Sequence, residues 1–257
     1  MRLRYLLLVL LLSLCLGGPG CSSSQIRRDG EGAGPAEAPS SSVEALLEQG
    51  SASFKKGAFA AAVSSWEQAA RLFEHAGNKG KGAETFAKLS QAYQGLGQHR
   101  DALKAAEKAL LLARQNKDQR QTGEALSQLG NALSTLGEKA RARQALEEGL
   151  RIAAGLDDAT LSAGILNNLG NLLASEEENE QALRAYRESV AMAGDKAPTA
   201  APALVNGATV CLRLGAYGEA EFLLNKAFPL LQEAEESYYK AHALINPGLL
   251  YTDLRSA

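Results

Sequence analysis

The segment Ile165-Leu166-Asn167-Asn168-Leu169-Gly170-Asn171-Leu172-Leu173 decides the reading of the whole chain. Leu166, Leu169, Gly170 and Leu173 fall at the three- and four-residue intervals of one helical face, and other segments echo that pattern at a nearly fixed distance. Asn167, Asn168 and Asn171 occupy the face left over. Asparagine is roughly 0.5 kcal/mol or more worse than alanine inside a helix, so three in one short helical segment need a reason beyond solubility.

Outward from this segment, the chain repeats. Glu48 opens EQGSASFKKGAFAAAV, Lys88 opens KLSQAYQGLGQHRDAL, Gln128 opens QLGNALSTLGEKARAR and Asn168 opens NLGNLLASEEENEQAL. NGATVCLRLGAYGEAE follows from Asn206, and an incomplete NPGLLYTDLRSA from Asn246. Gly57, Gly97, Gly137 and Glu177 are 40 residues apart, and Gly215 follows after 38. A small residue recurs in the first helix of each unit, at Gly50, Ser90, Gly130, Gly170, Ala208 and Gly248. A second recurs in the following helix, at Ala62, Ala102, Ala142, Ala182 and Ala220. Glycine inside a helix costs about 1 kcal/mol against alanine, so its return at one register points to close helix packing.

Each unit resembles a tetratricopeptide repeat, a helix-turn-helix module with a small residue in helix A, a turn glycine and a small residue in helix B. The 40-residue spacing is similar to that of kinesin light chain type repeats. The resemblance runs from about Val43 to Ala257. It implies an all-α fold, a right-handed superhelix of about eleven helices in which each unit contacts only its neighbours. Units are expected near 43–82, 83–122, 123–162, 163–200 and 201–240, with an incomplete 241–257. The extra residues predict a helix B lengthened by up to two turns, and Glu177 in place of glycine predicts a looser or longer fourth turn. Pro229 is expected to bend or end the fifth helix B, and Pro247 to break the sixth helix A. That last helix lacks a partner, so the end at Ala257 reads as an imperfect cap, a docking or dimer surface, or a truncation.

Composition agrees with a helical array. Apolar residues make up 46% of the chain, and they are mainly leucine and alanine rather than β-branched or aromatic. The start Met1-Arg2-Leu3-Arg4 and the apolar run from Tyr5 to Leu16 read as a secretory signal, too short to span a bilayer. The sequence that follows, Leu16-Gly17-Gly18-Pro19-Gly20-Cys21, resembles the lipobox of bacterial lipoproteins. That resemblance implies removal of residues 1–20 and a lipid anchor on Cys21; Cys15 is the weaker candidate. Ser22 after the cysteine implies the periplasmic face of the outer membrane, the alternative being a secreted or soluble periplasmic protein. Residues 21–42 are rich in serine, glycine, alanine and proline, too polar to bury a core, and form a linker. Losing Arg2 and Arg4 takes the 27 basic residues to 25 against 29 acidic ones, a charge of −4 that offers no footprint for nucleic acid.

A search for chemistry finds little. His75, His99 and His242 stand alone without metal-ligand spacing, and His99 falls at a structural register. Gly77-Asn78-Lys79-Gly80-Lys81-Gly82 lacks the order of a phosphate loop and reads as an inter-repeat connection. Glu176-Glu177-Glu178 reads as a solvated turn, and Cys211 as a buried core residue. No nucleophile, base and orienting group can be assembled, so neither an enzyme nor a cofactor, metal or small-molecule substrate is expected.

The face of helix A that the resemblance places in the concave groove is more informative. It carries Lys88, Gln91, Gln128, Asn131, Asn167, Asn168, Asn171, Asn206 and Asn246. A side-chain amide both donates and accepts, so a row of them can bond the main chain of an extended peptide. The same amides could also bond one another between repeats. The expected function is a lipid-anchored adaptor that holds a partner's peptide. The alternative is an assembly factor for an outer-membrane complex, acting through its convex face or terminal helix.

Overall fold

The computed structural model describes residues 40–194 and 197–233. The expected signal, Cys21 and the sixth unit with Asn246, Pro247 and Gly248 lie outside the described residues. Within them the chain forms ten α-helices and no strand. These are α1 (Ser40–Lys55), α2 (Phe59–His75), α3 (Lys79–Gly95), α4 (His99–Asn116) and α5 (Gln119–Thr135), then α6 (Lys139–Gly155), α7 (Ala159–Ser175), α8 (Asn179–Ala193), α9 (Ala201–Arg213) and α10 (Tyr217–Glu233). Odd-numbered helices are the A helices and even-numbered ones the B helices. A short 3-10 turn, Pro198–Ala200, precedes α9.

Local signals set the boundaries. Asn78, Asp118 and Asp158, 40 residues apart, cap α3, α5 and α7 by accepting the backbone N–H of Lys81, Gln121 and Leu161 at 3.0, 2.9 and 2.9 Å. These contacts satisfy donors that a helix start leaves orphaned. The glycine-rich stretch from Gly77 is therefore partly helical: Gly77 turns at φ +65°, and α3 begins at Lys79. Within repeats, Gly57, Gly97, Gly137 and Gly215 end helix A in the left-handed region at φ +71° to +79°.

Three expectations are corrected. The fourth turn is neither looser nor longer: Glu177 adopts φ +63°, and α8 starts four residues after α7 ends, the same interval as between α5 and α6. Packing of the helices on either side imposes the conformation, which a side chain tolerates at a cost of about 1–2 kcal/mol. Of the two outcomes expected at Pro229, a bend or an end, the end does not occur, because α10 continues to Glu233. Its lost hydrogen bond is offset by Ala227, Leu230 and Leu231, which bury the last turns against α9 and the 3-10 segment. The extra length per repeat is not confined to helix B either, since α3, α5 and α7 match α2 and α6 at 17 residues.

The recurrent glycines serve a side chain. A Cβ placed on Gly50 would lie 2.3 Å from the Trp66 ring, on Gly130 2.5 Å from Leu146 and on Gly170 2.5 Å from the Tyr186 ring. Each of these large groups sits four residues after the small site of helix B. Where helix A carries Ser90 instead, the facing residue shrinks to Ala106, and the Ser90 hydroxyl donates to the Ala102 carbonyl at 2.9 Å. The core is continuous across repeats: one cluster joins Ala106 of α4, Leu126 and Leu133 of α5, Leu146 of α6 and Ile165 and Leu172 of α7. Cys211 is fully buried, as its register predicts.

The curvature follows from two kinds of contact. Successive A helices touch directly, α3 with α5, α5 with α7 and α7 with α9. Successive B helices are bridged by long charged side chains, Lys108 to Glu74, Arg114 to Glu148 and Arg187 to Glu219, all substantially exposed and worth about 0–1 kcal/mol each. The A helices therefore line the inner face of the superhelix. No helix among the described residues is long and apolar enough to cross a membrane.

Candidate functional site

The A-helix face carries the expected amides. Lys88, Gln128, Asn131, Asn167, Asn168, Asn171 and Asn206 are half-buried and Gln91 is exposed. The register that buries Leu89, Leu129, Gly130 and Gly170 turns these side chains away from the core.

Several amides are tied across repeats. Asn131 Nδ2 donates to Gln94 Oε1 of the preceding A helix. Asn168 Nδ2 donates to Ser127 Oγ at 3.0 Å, and Asn206 Nδ2 to Asn167 Oδ1 at 3.0 Å. Within the fourth repeat, the Tyr186 hydroxyl donates to Asn171 Oδ1 at 2.8 Å. Burial pushes that phenol well above its ordinary pKa, so the hydroxyl stays a donor. These bonds fix the orientation of each amide without exhausting it. Asn168 Nδ2 also reaches the Ser127 carbonyl at 3.5 Å, whereas Asn131 Nδ2 and Asn206 Nδ2 each keep a second N–H, and the accepting Oδ1 atoms of Asn167 and Asn171 each keep a second lone pair.

Beside the row lies an open cavity of about 640 Å3 across α3, α5 and α7, lined in part by Lys88, Gln91, Ser127 and Gln128. It also exposes groups that the sequence reading passed over: Glu84, Asp118, Arg120, Gln121, Glu124 and Gly164. Glu84 accepts from Lys88 at 2.9 Å and from Lys81 at 3.0 Å. Burial opposes its ionisation, but the two lysines prevail and hold the carboxyl below its ordinary value. Arg120 pairs with Glu124 and, at 2.9 Å, with the Asp158 cap of the next repeat. Burial, followed by the charges of Glu84 and Asp118, pushes the Glu124 carboxyl up although Arg120 acts the other way. The available signal was the 40-residue interval between Glu84 and Glu124, six residues before the small position.

Other candidates take structural places. Glu176 and Glu178 both pair with Arg143, so that acidic turn braces two repeats. His99 is half-buried, and its Nδ1 has no partner among the described residues. Among the described residues, no three His, Cys, Asp or Glu side chains gather as a metal ligand set. Cys21 and Asn246 cannot be placed, since both lie outside the described residues.

Models of the tetratricopeptide repeat match residues 83–116, 122–154 and 161–233, in register with the helix pairs. The chain is a tetratricopeptide repeat protein. This tetratricopeptide repeat array is similar in fold to a Rap protein solved with Competence and Sporulation Factor, at 18% identity and a TM-score of 0.71. The alignment covers 79% of this chain and 57% of the Rap chain. NprR, solved with its cognate peptide NprX, gives 18% identity and a TM-score of 0.71 over 86% of this chain and 63% of NprR. The array thus spans about 57% and 63% of the lengths of those two proteins. A putative kinesin light chain from Podosopora anserina with nearly identical repeats gives 16% identity and a TM-score of 0.54, over 74% of this chain and 94% of that one. No curated protein sequence matches the array significantly. At such identities the likeness establishes the fold and carries no residue-level role.

Proposed function

We propose that this chain is a lipid-anchored adaptor of the periplasmic face of the outer membrane, which holds an extended peptide segment of a partner protein along its A-helix groove. The observation that carries the reading is the amide row of Gln91, Gln128, Asn131, Asn168 and Asn171 beside an open cavity of about 640 Å3. Asn131 and Asn168, pre-oriented by bonds between repeats, and Asn171, held by Tyr186, can meet a peptide main chain with little further loss of side-chain freedom. NprR, one of the similar folds, was solved with its cognate peptide, which supports a groove of this kind as a peptide site. The anchor rests on Gly20-Cys21 after the apolar run. Replacing Asn131, Asn168 and Asn171 by alanine should abolish crosslinking of membrane partners to the groove while circular dichroism stays unchanged. Undiminished crosslinking would remove the reading.

One observation favours a second reading, assembly through the convex face. Phe222 of α10 is 57% exposed at the register where earlier repeats expose Ser64, Lys104, Gln144 and Arg184. Phe222→Lys would then disrupt assembly of an outer-membrane complex while the groove variants remain silent.

A further inference from the structure

The cavity in the groove owes its space to a missing side chain. Six residues before the small position stand Glu84 on α3, Glu124 on α5 and Gly164 on α7. A Cβ built on Gly164 meets nothing within 4 Å, so the place of a third carboxylate is open and forms part of the cavity. Three carboxylates, Glu84, Asp118 and Glu124, line it against two cations, Lys88 and Arg120.

Compensation among the three acids is uneven. Glu84 is held by two lysines, and Asp118 accepts the backbone N–H of Gln121. Among the described residues Glu124 is paired with Arg120 alone, and Arg120 divides itself between Glu124 and Asp158. Close by on the same helix, Gln121 Oε1 is buried with no donor among the described residues. Burial first, and then the charges of Glu84 and Asp118, push the Glu124 carboxyl up against the pull of Arg120, in line with the same deficit. A neutral donor could bond these acceptors but would leave the carboxylate charge uncompensated, and an acidic occupant would add to the excess of like charge.

We propose that the peptide held in the groove inserts a lysine or arginine side chain over Gly164, its stem along Leu161 and its cationic head against Glu124. This rests on the peptide-groove reading and names the chemistry of its ligand. Gly164 supplies room for the stem, Glu124 supplies the charge, and the amide row holds the flanking main chain. The subsite therefore makes the groove selective for basic segments.

The probes are three fluorescein-labelled pools of random octapeptides that share one fixed central residue, lysine, glutamine or glutamate. Binding is followed by anisotropy on the full chain. The lysine pool should bind about tenfold tighter than the glutamine pool, the factor expected of one charge-assisted contact. Glu124→Gln should bring the two pools to within about twofold. Gly164→Arg, which places a cation of the protein's own in the space, should do the same while leaving the glutamine pool bound. Equal binding of the lysine and glutamine pools, preference for the glutamate pool, or an undiminished lysine preference in Glu124→Gln overturns the subsite. The alanine variant at Asn131, Asn168 and Asn171 separates the two readings. If it binds all pools like the unmodified chain, or if no pool binds at all, the groove itself fails. If it loses all pools while no basic preference exists, only the subsite fails.

Discussion

Gly170→Ala sets helix propensity directly against packing. At an unconstrained helix position the change would stabilise the fold by about 1 kcal/mol. Here the new methyl would lie 2.5 Å from Cε1 and 2.7 Å from Cδ1 of Tyr186, against the roughly 3.5–4.0 Å of ordinary carbon contacts. The ring is only 4% exposed, and its hydroxyl is tied to Asn171, so it must move by about 1 Å inside a packed interface. Overpacking of this kind costs about 1–3 kcal/mol, and disturbing the hydroxyl bond costs about 1 kcal/mol more. Set against the propensity gain, the net loss is about 1–3 kcal/mol. The fifth repeat shows another solution at the same two positions, Ala208 facing Leu224. Gly170→Ala with Tyr186→Leu should therefore recover most of the loss, with a coupling energy of at least about 1 kcal/mol. Urea unfolding followed by far-UV circular dichroism measures all three variants. If the single variant is as stable as the unmodified chain, or more so, the recurrent glycines do not exist to admit a side chain.

Three further outcomes are expected. Glu177→Gly should raise stability by about 0.5–1 kcal/mol, the relief of the left-handed residue less the added freedom of the unfolded chain; a loss in urea unfolding would show that Glu177 makes a stabilising contact. The backbone N–H of Leu161 and the Arg120 guanidinium hold the Asp158 carboxyl below 3.8. Its stabilisation is therefore complete above pH 3.8 and lost as pH falls through the depressed value. Asp158→Asn keeps a capping oxygen, as Asn78 does, and should flatten the acid limb of the stability curve; an unchanged limb would assign acid sensitivity elsewhere. Finally, cells fed labelled fatty acid should label the native chain and not Cys21→Ser, and equal labelling would end the lipid-anchor reading.

Much of the fold was legible because its signals are local. Gly57, Gly97, Gly137 and Gly215 mark turns through their own backbone freedom, and the spacing of Ala62, Ala102, Ala142 and Ala182 fixes the helix B face. Errors arose where a neighbour overrules a local preference. Glu177 should resist a left-handed turn, but the helices on both sides impose it. Pro229, expected to bend or end α10, does not end it, because burial of Leu230 and Leu231 offsets the hydrogen bond it removes.

The sequence by itself determined the repeat, its helix pairs and the amide face, since each is a periodicity within one helix or one turn. Only the tertiary structure decided what those residues meet. Gly170 makes room for Tyr186, Asn206 bonds Asn167 across 39 residues, and Arg120 reaches the cap of the next repeat. The charged cavity belongs to the same class. Glu84, Glu124 and Gly164 come together only when three A helices stack, because its walls belong to three different repeats and its space to a side chain the third one lacks.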